Sequence, residues 1–97
     1  MLKNDLPEVA EFKLEDTFRI TNRGPVIAGQ IISGSIAAGN LVCIKQGDDL
    51  ITAKINSVEF GYSNTPRSYF VGLLLGTEND HLKPIFEKLI GETLLII

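Results

Sequence analysis

The chain has 97 residues, 44% hydrophobic and 22% charged, a globular balance that excludes a disordered polar chain and leaves room for one hydrophobic core but not two. Twelve acids against nine bases give a net charge of −3 and a pI near 5.0, which opposes non-specific binding to nucleic acid or anionic lipid. The single cysteine, Cys43, excludes an internal disulfide framework and suits a reducing compartment.

At the start, "MLKNDLPEVAEF" has acids where a secretory signal needs an apolar core. No apolar run approaches the roughly eighteen residues of a membrane helix. The expectation is a cytoplasmic, soluble chain with a polar arm over residues 1–10 and one domain over 11–97. From Glu11, "EFKLEDTFRIT" places Phe12, Leu14, Phe18 and Ile20 at even positions with charges mostly between them, the alternation of a half-buried strand. Asn22-Arg23-Gly24 supplies residues tolerant of positive φ for a hairpin, and Pro25 fits the first position of the returning strand. That return, "PVIAGQIISG", is apolar on both faces for part of its length, so both faces are covered or one of them lines a groove. Gly29 within it implies a close backbone approach or a bend.

"GSIAAGN" is a turn, "LVCIK" a short strand, "QGDD" a polar turn. In "ITAKINSVEF" the core positions Ile55 and Val58 are three apart, which calls for a β-bulge at Asn56-Ser57. "GYSNTP" reads as a loop and "RSYFVGLLLG" as the most apolar strand. "TENDHLKPIFEKLIG" reads as a short helix near 81–90, with Asn79 or Asp80 at its cap, Pro84 near its start and Gly91 at its end. "ETLLII" is a final strand. Six or seven short strands at turn spacings of about 8–12 residues predict an all-β fold: a small antiparallel Greek-key β-barrel with one short C-terminal helix. The expected core is Leu14, Phe18, Ile20, Ile27, Ile31, Val42, Ile44, Ile55, Val58, Val71, Leu73 and Leu75.

Several elements together resemble the second domain of the translational GTPases, the β-barrel of elongation factor Tu and its relatives. They are Glu15-Asp16, Phe18-x-Ile20, Asn22-Arg23-Gly24, Val26-Ile27-Ala28-Gly29, the turn Gly34-Ser35-Ile36-Ala37-Ala38-Gly39, "SVEF" at 57–60 and "VGLLLGT" at 71–77. The likeness runs from about Phe12 to Ile97. It implies the barrel as a stand-alone module. A GTPase needs a Gly-x-x-x-x-Gly-Lys-[Ser/Thr] loop to cradle phosphate, and no such run occurs in the sequence.

The chemistry-bearing residues give little to an enzyme. His81, at the predicted helix start, reads as solvated. Cys43, in an apolar strand, reads as a packing residue. Glu15 and Asp16 are adjacent on a strand and point to opposite faces, which does not suit a shared-proton dyad. No cofactor or metal site is expected, and Asp48-Asp49 reads as turn chemistry. In the full-length factors the resembling barrel holds the aminoacyl end of transfer RNA or meets ribosomal RNA, and Tyr62, Arg67, Tyr69 and Phe70 could stack bases beside a cation. The nine bases are scattered, however, and Phe70, Ala28 and Gly61-Tyr62 replace polar residues of the family's pattern. The expectation is therefore a non-catalytic binding module with a protein or peptide partner or self-association. The alternative is a translation-associated RNA-binding accessory domain.

The pleat assigns the faces of the two strands that would form a partner groove. With Val71, Leu73 and Leu75 inward, Phe70, Gly72 and Leu74 face out. On the hairpin, Ile27, Gly29 and Ile31 face in, and Val26, Ala28 and Gln30 face out. The resemblance to the translation-factor barrels implies that these two outer faces adjoin, so the expected groove comprises Val26, Ala28, Phe70, Gly72 and Leu74, with Glu15 or Asp16 at its rim.

Overall fold

The computed structural model describes residues 8–64 and 67–97, with side chains described outside 62–68. Residues 1–7 of the expected arm, and the side chains of Tyr62 and Arg67, lie outside the described residues. The described chain forms seven strands: β1 (Ala10–Ile20), β2 (Gly24–Gly34), β3 (Leu41–Gln46), β4 (Asp49–Lys54), β5 (Ser57–Asn64), β6 (Arg67–Leu74) and β7 (Thr93–Ile96). A 3₁₀ turn (Thr77–Leu82) and α1 (Lys83–Lys88) precede β7. All pairings are antiparallel, in the order β4-β3-β7-β1-β2-β6-β5. Residues 61–64, expected as loop, belong to β5, because they continue the ladder with β6.

The sheet must curl. Its end strands β4 and β5 are joined by Ile55 and Asn56 alone, a link that reaches about 11 Å at full extension. A flat sheet of this many strands, at about 4.8 Å per step, would hold its edges nearly 30 Å apart. Curling turns one face into an enclosed core of Phe12, Leu14, Ile27, Val42, Ile44, Ile55, Leu73, Leu75 and Ile96, closed by Leu82 and Phe86 from the helical segment.

Local chemistry accounts for several departures from regularity, a further register step at Glu11–Phe12 opposite Ile32 apart. Asn22 and Gly24 have φ of 68° and 89° at the first hairpin, as a tight connection requires. Asn56 donates its N–H to the Leu74 carbonyl at 2.7 Å while Ser57 is registered opposite the same Leu74. Two residues therefore oppose one, as in the expected bulge, and Ile55 and Val58 both reach the core side. A second bulge was not expected. In β1 the register steps from Leu14–Gly29 to Asp16–Ala28, leaving Glu15 as the extra residue. Before it Phe12 and Leu14 face inward; after it Thr17 does, its hydroxyl donating to the Val26 carbonyl at 2.9 Å.

That phase change corrects the core assignment. Phe18 is 38% exposed and Ile20 only half-buried, both on the outer face, and Ile31 and Val58 are partly buried at the margin. The helix cap is also corrected. Gly76 (φ 85°) precedes the first turn with no side-chain cap, and the Asn79 amide instead donates to the Leu75 carbonyl at 2.7 Å. Asp80 pairs with Arg19.

Candidate functional site

The outer face of β1, β2, β6 and β5 carries a concavity of about 200 Å³. Phe18 and Ile20 line it from β1, Val26 from β2, Phe70, Gly72 and Leu74 from β6, and Glu59-Phe60-Gly61 from β5. The ladder builds it row by row. Phe18 pairs with Val26, and Val26 with Leu74. The next row is Ala28–Gly72–Glu59, and beyond it Phe70 pairs with Gly61.

Two glycines shape the hollow in opposite ways. The Phe70 ring fills the space a side chain on Gly61 would take. A β-carbon on Gly72 would meet only ordinary contacts, Val26 Cγ1 at 3.5 Å and the Glu59 carbonyl at 3.7 Å. The missing side chain of Gly72 leaves an apolar floor between Val26 and Phe70.

The structure thus brings together Val26, Phe70, Gly72 and Leu74 of the expected groove. Ala28, though in the same face, is 5% exposed and does not line the hollow. Glu15 and Asp16 do not reach it either. Glu15 is the bulged residue, and Asp16 turns its carboxylate back to accept the Thr17 N–H at 2.8 Å. The rim carboxylate is Glu59, held by Arg23 Nη2 at 2.7 Å. Phe18 and Ile20 were missed as lining because the bulge that turns them outward has no unambiguous signature in "LEDTF".

A larger cleft of about 570 Å³ is built from other strands and lined by Cys43, Lys45, Leu50, Leu89, Glu92 and Leu95 among others. Cys43 at its wall is buried, and desolvation pushes its thiol pKa up, which keeps it protonated. His81 is exposed. Among the described residues no three His, Cys, Asp or Glu side chains gather as a metal site would need, and no helix is long and apolar enough to cross a membrane.

Arg19 and Arg23, the two arginines of β1 and its hairpin, are each engaged by a carboxylate. Arg19 grips Asp80 with Nε–Oδ1 and Nη2–Oδ2 both at 3.0 Å. That hydrogen bond, chiefly, lowers the Asp80 pKa. Lys83 is paired with Glu87 one helical turn on.

Compared with known proteins, the chain matches no family, no curated protein and no solved structure.

Proposed function

We propose that this chain is a non-catalytic binding module on a translation-factor domain 2-like barrel, lacking a GTPase domain, and that its outer groove receives one large apolar side chain from a protein or peptide partner. The observation that carries this reading is the open floor at Gly72, walled by Phe18, Val26, Phe70 and Leu74. Its volume of about 200 Å³ is below the roughly 300–1,000 Å³ of small-molecule sites and suits a single side chain. Glu59 at the rim adds one acceptor, already oriented by Arg23. Exposed apolar surface gathered around a hollow is a usual mark of a contact site. The cytoplasm is the compartment that best fits a chain with one buried thiol.

The RNA-binding alternative is the weaker one because Arg19, Arg23 and Lys83 are spent on carboxylates, which lowers the charge available to phosphates.

Selection from a displayed random-peptide library tests the reading, with counter-selection on the Gly72→Val variant, whose added methyls plug the floor. Peptides sharing one bulky apolar residue should enrich on the native chain alone. Equal enrichment on both proteins overturns the groove as the site.

A further inference from the structure

We propose that the open edge of β5 pairs with β5 of a second copy of this chain, antiparallel and centred on Phe60, giving a two-fold dimer with one continuous sheet. β5 ends the sheet order, and among the described residues no strand pairs with its outer side. Phe60 is 75% exposed there.

The ladder fixes which backbone groups are on offer. Antiparallel pairs alternate between hydrogen-bonded and non-bonded. With Asn56 donating to Leu74 and Ser57 opposite that residue, residues 57, 59 and 61 turn their N–H and C=O toward β6. Residues 58, 60 and 62 turn theirs outward. A two-fold axis at Phe60 sets residue 60 against 60, 58 against 62 and 62 against 58, so every outward group meets an outward group. A one-residue slip would set them against groups already bonded to β6. A two-residue slip again joins outward groups, but about Glu59 it sets carboxylate against carboxylate, and about Gly61 it breaks the Phe60–Phe60 pair.

Side chains favour the same register. Phe60 faces Phe60 of the second copy, an aromatic cross-strand pair. Glu59, the one charged residue in "SVEFGYSN", faces Gly61 rather than another carboxylate. Edge strands are commonly protected by lysine or proline, and β5 has neither. The opposite edge, β4, is shorter and carries Asp49 and Lys54. A second copy fits this edge because about Phe60 the exposed ring meets its own copy and the one carboxylate of the strand meets no like charge.

Sedimentation velocity on the full chain across the micromolar range tests the dimer. The native chain should dimerise reversibly. Phe60→Lys and Phe60→Glu should each be folded monomers, and their mixture should dimerise again because opposite charges meet at the axis. Leu50→Lys on the β4 edge should leave the dimer intact. In native chain, the Val58 and Phe60 amides should gain hydrogen-exchange protection with concentration, a readout needing no variant. A native monomer at every concentration, dimers of Phe60→Lys alone, or fast exchange of those two amides at all concentrations overturns the proposal. The Gly72→Val variant should dimerise normally, which separates this edge from the groove.

Discussion

The backbone carbonyl of Lys13 occupies the space where a side chain on Gly29 would stand. The two are neighbours across the β1–β2 ladder, just before the register step at Glu15, where the bulged strand bends over its partner. Gly29→Ala must therefore displace backbone, and about 2–3 kcal/mol of stability should be lost, the upper part of the overpacking range. Gly72→Ala meets only ordinary contacts and should change stability by no more than about 0.5 kcal/mol. Urea midpoints with unchanged slope report both. Equal losses at the two glycines would contradict the geometry.

Leu73 is fully buried in the core cluster. Leu73→Ala should cost about 2–5 kcal/mol, the transfer term plus the cavity left behind. A loss below about 1 kcal/mol would place Leu73 at the surface rather than in a packed interior.

The sequence carried the fold further than the face assignments. Alternation, turn chemistry and the 55/58 spacing were enough for the strand sequence and for the bulge at Asn56-Ser57. They failed at Phe18 because period-2 reasoning propagates one phase until something breaks it, and the Glu15 bulge did. The placing of Glu15 or Asp16 at the rim rests on the resemblance and not on the pleat, and the bulge takes both away from the groove. The rim acid is Glu59, which reaches the groove through the non-local β5–β6–β2 pairing. No local pattern reports such a contact. The groove's Val26, Phe70, Gly72 and Leu74 were legible because both strands keep their alternation there.

The Arg19–Asp80 pair ties β1 to the 3₁₀ turn and should make stability pH-dependent. The Arg19 hydrogen bond holds Asp80 below the ordinary value of 3.8. A depressed carboxylate stabilises the fold above its unfolded value and loses that contribution as pH falls through the folded value. The native chain should therefore exceed Arg19→Gln in stability at neutral pH, with the gap closing below about pH 4. The pair is partly exposed, so added salt should shrink the gap. Thermal melts across pH check it. A gap that widens in acid would be the wrong sign.

Nucleotide and RNA should both leave the chain unaffected. Without a phosphate loop, saturating GTP should not raise the melting temperature, because any ligand binding the native state must stabilise it. Single-stranded RNA should show no affinity that falls steeply with salt. A steep salt slope would restore the RNA-binding alternative and displace the peptide reading.

The groove itself is best probed by a contrast between two residues of the same outer face. Ala28 is 5% exposed, between Asp16 and Gly72 on its neighbouring strands. Ala28→Arg must bury or push out a long cation and should destabilise the fold by roughly 1–3 kcal/mol. Phe18 is 38% exposed and lines the hollow, so Phe18→Arg can send its charge to solvent along the wall. It should keep most of the stability while abolishing capture of a groove-selected peptide. The two effects follow from one ladder: the row containing Phe18, Val26 and Leu74 opens to solvent at Phe18, whereas Ala28 is enclosed within its row. Peptide capture that survives Phe18→Arg in a folded protein would move the binding site off this face.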